Sequence, residues 1–218
     1  MKKKLSILVN ESLDQGLEKL LSTEFDVEVV NLKAYQKKNE AYDVVIFGEE
    51  ESGDIHPDYY GENPSKFTEI QAWDKYEYLR SSLRFGRTCL KIGIGNGAQY
   101  LNIRNGGSLV QHVEGHKESH EVTLNNGNRA IVESDHHQMM FPYMLDDKAY
   151  NLLATSTYFK SNTYLNGRNE ETTLPKDFLE PEMILFPKTK DLVSQSNPVN
   201  GSKEYQRFFL REISKLLK

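Results

Sequence analysis

The stretch from Cys89 to Asn105, CLKIGIGNGAQYLNIRN, decides how the rest of the chain is interpreted. Its first six residues, Cys89 to Ile94, form an apolar run that predicts a buried strand. Gly95-Asn96-Gly97 then indicates a sharp turn, and AQYLNI continues with helical spacing. A strand that breaks at one glycine-flanked residue and continues as a helix is typical of a nucleophile elbow. The elbow position is Gly95, which has no side chain, so the frame of a nucleophile site lacks its nucleophile.

Length and composition exclude several classes of protein. A chain of 218 residues suits a single α/β domain covering residues 1–218. The formal net charge of -5 argues against nucleic-acid binding, and no apolar run reaches the length of a membrane span. Cys89 is the single cysteine, which excludes an intrachain disulfide and favours the cytoplasm. The Lys- and Asn-rich composition fits an AT-rich genome such as that of a phage.

The order of apolar segments predicts an α/β fold with a mostly parallel central sheet flanked by helices. Asn125-Asn126-Gly127-Asn128 is a strong hairpin signal and predicts a small antiparallel insertion. The predicted strands cover Leu5–Val9, Phe25–Leu32, Tyr42–Phe47, Cys89–Ile94, His120–Leu124, Arg129–Glu133, Leu152–Tyr158, Glu182–Phe186 and Leu192–Ser194. The predicted helices cover Leu13–Leu21, Phe67–Leu83 and Tyr205–Leu217, besides the elbow helix.

An acidic loop from Gly48 to Pro64, GEEESGDIHPDYYGENP, follows the third predicted strand. Loops at the carboxyl ends of parallel strands are where α/β folds place their sites. The run Glu49-Glu50-Glu51 could hold a cation, although such runs are usually solvated.

The elbow and several other motifs together resemble class I glutamine amidotransferases, in particular the γ-glutamyl hydrolase (peptidase C26) branch. The elbow of that branch reads G-I-C-x-G-x-Q-x-L-N, and the family cysteine falls on Gly95. Six motif positions are kept: Gly93, Ile94, Gly97, Gln99, Leu101 and Asn102. The resemblance implies a flavodoxin-like three-layer sandwich, and it runs over nearly the whole chain.

Three further segments occur in the family's order. Gly53 to Glu62 resembles the loop G-D-I-x-P-x-L-Y-G-E, whose backbone N–H groups help form the family's oxyanion hole. Glu51 and Ser52 replace two glycines there. Gly106 to Gln111 resembles G-G-T-L-x-Q, and Ser134 to Gln138 resembles S-x-H-H-Q. The resemblance implies a ligand pocket formed by Ser52, Gly53, Asn96, Gln99, His136 and His137.

The rest of the family's triad should lie near the end of the chain, in the motif Q-x-H-P-E. Here the segment is Gln195-Ser196-Asn197-Pro198-Val199, and the alternative register at Leu185–Lys188 also lacks both residues. Amide hydrolysis by this route needs a thiolate, a base and an orienting carboxylate. Gly95, Asn197 and Val199 supply none of the three. We therefore expect degenerate family positions and no catalytic residue.

The histidines could suggest other chemistry. His136 and His137 are adjacent on an extended segment, so their side chains should point in opposite directions and serve as structural hydrogen-bonding groups. His112, His116 and His120 recur every four residues, but Gly115 favours a loop over a helix that would align them for zinc. We expect no metal and no cofactor.

The leading hypothesis is a catalytically inactive family member that binds a protein partner, or a small γ-glutamyl or amide-like ligand, in the vacated pocket. A homodimer is also compatible with this. One alternative is an active amide hydrolase or amidotransferase whose catalytic group has moved, with His120, His136 and His137 as candidates. Another is a structural subunit that contributes only surface. An open polar pocket would favour a small ligand, whereas a pocket filled by Glu51 or Asn197 would favour a protein partner.

Overall fold

The computed structural model describes residues 2–10, 12–31, 42–48, 53–69 and 89–218. The strands in these residues are β1 Lys3–Val9, β2 Phe25–Asn31, β3 Val44–Phe47, β4 Leu90–Ile94, β5 Ser108–Val110, β6 His112–Val113, β7 His120–Leu124, β8 Arg129–Val132, β9 Met139–Phe141, β10 Asn151–Ser156, β11 Tyr164–Leu165, β12 Pro181–Phe186 and β13 Asp191–Ser194. The α-helices are α1 Gln15–Leu21, α2 Asn96–Arg104 and α3 Lys203–Leu216, and Pro57–Tyr60 forms a 3₁₀ turn.

Nine strands form one sheet in the order β2-β1-β3-β4-β13-β12-β10-β7-β8. The first five of these are parallel to one another, and the last four continue the sheet in antiparallel pairs. Every residue of β3 is buried, as expected for a parallel strand covered on both faces. In contrast, β7 and β8 alternate buried and more exposed residues, the pattern of strands with one solvated face.

Helices cover both faces of the sheet. Leu17 and Leu21 of α1 and Phe208 of α3 pack with Ile7 of β1 in one apolar cluster. Tyr100 and other apolar residues of α2 pack with Leu8 and Phe47 in a second cluster. Because Ile7 and Leu8 are consecutive on β1, the two clusters lie on opposite faces of the sheet. The predicted α/β fold is confirmed, and its antiparallel part is an extension of the same sheet.

The sheet ends at β8, where the start of α3 closes its edge. Ser202 is the N-cap of α3, and its hydroxyl accepts a hydrogen bond from the Tyr205 N–H. The same hydroxyl accepts the N–H of Ile131 at 3.1 Å, and the Ser202 N–H donates to the Ile131 carbonyl at 2.8 Å. Both backbone groups of Ile131 are thereby paired.

Most predicted strands match the structure to within one or two residues at each end. The hairpin at Asn126 is confirmed, with Gly127 at φ 84° and the Leu124 N–H donating to the Asn128 carbonyl at 2.8 Å. The short strands β5, β6, β9 and β11 were not predicted, because two or three residues carry no readable periodicity. Most of the predicted helix Phe67–Leu83, the run Glu49–Glu51 and Ser52 lie outside the described residues.

Candidate functional site: an elbow without a nucleophile

The predicted turn at the end of β4 is present. Gly95 has φ 57° and ψ −120°, and α2 begins at the next residue. This backbone conformation is one that residues with side chains rarely adopt. The turn is also tightly packed, because a Cβ on Gly97 would lie 2.0 Å from the carbonyl oxygen of Phe47. The predicted sharp strand-to-helix turn is confirmed, and its positive φ falls on a glycine, which adopts this conformation readily.

A polar cavity of about 610 Å³ opens at this elbow. Its walls come from the elbow, from the loop before β7, from the loop after β8 and from the segment after β13. The lining residues are Gly95, Asn96, Lys117, Glu118, Ser119, Glu133, Ser134, Asp135, His136, Gln195, Ser196, Asn197 and Asn200. Among the described residues, Asn197 forms part of the cavity wall without filling the cavity.

Two of the three degenerate positions share this cavity. Strand β13 runs parallel to β4 with Ser194 opposite Ile94, so Gly95 and Asn197 follow from neighbouring strand ends. The alternative register at Leu185–Lys188 lies at the opposite end of the strands from the elbow. Phe186 pairs with Asp191 at the start of β13, whereas the elbow adjoins the end of β13. The Asn197 Oδ1 accepts the N–H of Val199 at 3.0 Å and caps its own turn.

Val199 occupies a different environment. It is half-buried at the margin of the apolar cluster formed by α1 and α3. Its Cγ1 lies 2.6 Å from where a Cβ on Gly16 would stand. Val199 therefore packs against the first turn of α1.

The other residues expected to bind a ligand are distributed between the cavity and the scaffold. Asn96 and His136 line the cavity, and the Asn96 Nδ2 donates to the Gly53 carbonyl at 2.8 Å. Gln99 is buried and donates to the carbonyl of Gln138 at 3.0 Å, which joins α2 to the segment before β9. The His137 Nε2 lies 2.9 Å from Asp54 Oδ1, within hydrogen-bond distance.

A buried cluster of histidines and glutamates lies against the cavity. The His116 ring centroid is 4.7 Å from that of His136 and 5.4 Å from that of His120. The His116 Nε2 lies 3.4 Å from Glu180 Oε1, and its Nδ1 lies 3.6 Å from Glu182 Oε1. The His120 Nε2 is 2.9 Å from the same Glu182 oxygen. These five residues are called the His–Glu cluster below.

The cluster reaches the cavity through hydroxyl groups. The Ser196 hydroxyl donates to Glu182 Oε2 at 2.7 Å and lies 3.3 Å from the Ser134 hydroxyl. The Ser134 Oγ is in turn 3.5 Å from the His136 Nε2. Ser134, His136 and Ser196 all line the cavity, so the His–Glu cluster forms part of its floor.

Burial and neighbouring charges set the protonation of the cluster. Burial, together with the nearby His116, lowers the pKa of His136 to about 3, so this imidazole is neutral at pH 7. Burial alone would raise the pKa of Glu180, but the nearby His116 and hydrogen bonds from the N–H groups of Lys160 and Ser161 outweigh it and lower the pKa to about 2. Burial also opposes ionisation of Glu182, yet the hydrogen bond from His120 lowers its pKa.

The histidines lie in the directions and local structure that the sequence predicts for three of them. His136 and His137 do point in different directions, towards His116 and Asp54 respectively. His116 does lie in a loop, with Gly115 at φ 74°. His112 stands apart and stacks on Phe67 with ring centroids 3.8 Å apart.

Sequence reasoning missed the convergence of His116, His120 and His136 on Glu182. One signal was present in the sequence. Glu180 and Glu182 flank the start of an apolar strand, and a glutamate inside such a strand is almost never fully buried unless it is paired.

Comparison with known proteins agrees with this geometry. The peptidase C26 family model matches residues 31–155. This chain belongs to the peptidase C26 family. No curated protein sequence matches the chain.

The fold of this C26 protein also occurs in solved structures of glutamine amidotransferase type. It is similar to PurLQS from Thermotoga maritima, with a TM-score of 0.61 and 17% identity over 100% of both chains. It is also similar to a glutamine amidotransferase from Thermotoga maritima, with a TM-score of 0.54 and 13% identity over 97% of this chain and 83% of that one. At these identities the likeness concerns the fold alone. In the part of the chain that the structure describes, no helix is long and apolar enough to cross a membrane.

Proposed function

We propose that this C26 protein binds a small polar ligand in the cavity at the Gly95 elbow and does not hydrolyse it. The observation that carries the proposal is that Gly95 and Asn197 border one cavity of about 610 Å³, which no described side chain fills. A pocket of this size suits a small molecule. A thiolate and a base, which the family's reaction needs, are absent from these two positions.

The charges at the cavity suggest the chemistry of the ligand. Three exposed carboxylates, Glu118, Glu133 and Asp135, stand beside one exposed ammonium group, Lys117. Side-chain amides of Asn96 and Asn197 can both donate and accept hydrogen bonds. This arrangement favours a ligand with an ammonium group, a carboxylate and an amide, which is the chemistry of glutamine and of γ-glutamyl amides.

Binding without turnover can be tested by titration calorimetry with L-glutamine and γ-glutamyl amides, together with an assay for released ammonia. We expect saturable binding and no ammonia above the buffer rate. Asn200→Trp should abolish binding, because this exposed residue lines the cavity and a large ring would occupy it. Asn126→Trp is the matched control, since Asn126 is exposed in the β7–β8 turn. Ammonia release by the wild-type protein, or binding that Asn200→Trp leaves unchanged, would contradict the proposal.

A relocated hydrolase is the second candidate, because the hydroxyl of Ser134 lies 3.5 Å from the Nε2 of His136 in the cavity wall. The low pKa of His136 makes this imidazole a poor base, since an effective general base titrates near the working pH. Turnover that disappears in His136→Ala would favour this candidate over the binding protein.

A further inference from the structure

The His–Glu cluster brings together the side chains that bind transition metals. His116, His136 and Glu182 each offer one ligand atom, and these three atoms lie within 4.8 Å of one another. They come from three separate parts of the chain: the loop before β7, the loop after β8, and β12. Their convergence therefore results from the tertiary fold.

Several nitrogen atoms of the cluster are unpaired. Within the described part of the chain, both ring nitrogens of His116 and the Nδ1 of His136 are buried without a hydrogen-bond partner. The side chain of His116 is 0% exposed. Its contacts of 3.4 and 3.6 Å with Glu180 and Glu182 are longer than a normal N–H···O bond of about 2.9–3.0 Å. Buried polar groups in proteins almost always have partners, so these nitrogens need an explanation.

We propose that His116, His136 and Glu182 bind one divalent transition-metal ion, with zinc as the ion best suited to the site. Two imidazole nitrogens and one carboxylate oxygen form a three-ligand zinc set that leaves a fourth position open. Tetrahedral bonds of about 2.0–2.2 Å place ligand atoms about 3.3–3.6 Å apart. Binding would therefore draw the three side chains together from their separations of up to 4.8 Å.

The charge of the cluster favours a cation. Glu180 and Glu182 are fully buried carboxyl groups, and each accepts hydrogen bonds from neighbouring donors. Buried charges are costly unless they are paired or coordinate a metal. A divalent ion would offset the two buried carboxyl groups and take one ring nitrogen from each of His116 and His136.

The residues around Glu182 provide the outer contacts typical of metal sites. His120 and the Ser196 hydroxyl hydrogen-bond to its two oxygen atoms and so fix the carboxylate plane. Each carboxylate oxygen retains a further lone pair for a metal. Because His136 and Ser196 also line the cavity, an ion would be reached from the cavity.

The proposed metal site is additional to the binding of a small polar ligand in the cavity. It departs from the expectation, made from the sequence, that the protein binds no metal. It is tested with the metal alone, so its outcome does not depend on whether a γ-glutamyl compound binds. Protein treated with a chelator and dialysed is titrated with Zn²⁺ and Co²⁺, and the stoichiometry is read by native mass spectrometry. We expect one ion per chain, a four-coordinate Co²⁺ absorption spectrum and a zinc-dependent rise in melting temperature.

Variants of the cluster give the sharper test. His116→Gln and Glu182→Gln should lose stoichiometric binding, because each removes a ligand. His120→Gln should weaken binding by about 10–100-fold, the usual effect of removing an outer contact. His56→Gln is the matched control, because His56 caps the 3₁₀ turn outside the cluster. This variant protein should bind one ion per chain, as the wild type does.

Two results would overturn the proposal. One is the absence of stoichiometric binding to the folded wild-type protein. The other is binding that survives both His116→Gln and Glu182→Gln, which would place the ion elsewhere. If these variants do not fold, the wild-type Co²⁺ spectrum decides: a four-coordinate spectrum supports the site, and a six-coordinate spectrum like that of the hydrated ion contradicts it.

Discussion

The backbone N–H of Gly95 donates a hydrogen bond of 3.0 Å to the carbonyl oxygen of Ser194. This bond extends the pairing of β4 with β13 by one residue beyond the end of β4. It ties the elbow to the segment that carries Asn197, and the two residues consequently border the same cavity. The two positions at which the resemblance implies a nucleophile and its base are thus neighbours in the structure, and glycine and asparagine occupy them.

The shared cavity predicts how an introduced thiol will behave. The thiol of Gly95→Cys should be alkylated by a glutamine-mimicking electrophile. Adding Asn197→His should increase the alkylation rate at pH 7 by about tenfold or more, because a paired imidazolium lowers the pKa of a thiol by about one unit or more. Intact-mass spectrometry measures both rates. Gly95→Cys with Asn126→His is the control, because Asn126 lies in the β7–β8 turn. Equal rates with and without Asn197→His would contradict a direct approach of residues 95 and 197.

A third substitution should add little to that pair. Val199 packs against Gly16, so we expect the carboxylate of Val199→Glu to contact the start of α1 and leave the imidazole unsupported. The triple variant should therefore label at the rate of the double variant and release no ammonia. A clear gain in turnover from Val199→Glu would show that residue 199 can reach the introduced histidine.

The backbone at Gly95 predicts a loss of stability on substitution. Gly95→Ala should lower the free energy of unfolding by about 1–3 kcal/mol, because a side chain is strained at φ 57° and ψ −120°. Gly48→Ala is the matched control: a Cβ there lies within 4 Å of no atom of the described residues, so the change should stay within about 0.5 kcal/mol. Urea unfolding measures both. Equal losses would mean that strain at the elbow is not the cause.

The contact between Gly16 and Val199 predicts non-additive energies. Gly16→Ala alone should destabilise the protein, since the new methyl group would lie 2.6 Å from the Val199 Cγ1. In a Val199→Ala background the clash is removed, and Gly16→Ala should stabilise by up to about 1 kcal/mol through helix propensity. A double-mutant cycle from urea unfolding should therefore show coupling. Additive effects of the two substitutions on the free energy of unfolding would show that residues 16 and 199 are not energetically coupled.

The single thiol predicts an alkaline loss of stability. Burial raises the pKa of Cys89 to about 11, although the nearby Lys91 opposes this. Between pH 9 and 11 the unfolded chain releases the thiol proton while the folded chain keeps it, so stability falls as pH rises. The two-unit difference corresponds to about 3 kcal/mol at most.

Cys89→Ala tests this sign, because it removes the titrating group from the same buried position. Its free energy of unfolding should fall less steeply than that of the wild type between pH 9 and 11. Native Cys89 should also react slowly with iodoacetamide at pH 8 and rapidly in urea. Identical pH profiles for the two proteins would show that Cys89 does not titrate differently on folding.

The parts of the fold that the sequence predicted best are those whose residues are contiguous in the chain. The elbow at Gly95 was readable because the buried strand, the glycine-flanked turn and the helix are adjacent in sequence. The family motif Q-x-H-P-E pointed to Asn197, and the structure places this residue at the same cavity as Gly95.

The cluster could not be read in the same way. His116, His136 and Glu182 are far apart in sequence, and their meeting depends on the pairing of β7, β10 and β12. The side chain of Val199 also turned out to face α1, because a local motif does not specify which neighbour a residue beyond a strand end will contact. Ser52 lies outside the described residues, so its predicted role at the pocket stays a prediction.

The two hydrogen bonds between Ser202 and Ile131 have a consequence for self-association. An unpaired strand edge is a template on which another chain can add a strand, and this is a common route to aggregation. Here the backbone N–H and carbonyl of Ile131 are already bonded to the residue that caps the last helix. Any homodimer of this protein should therefore avoid sheet extension across β8. The same serine, Ser202, both caps α3 and blocks the addition of another strand at Ile131.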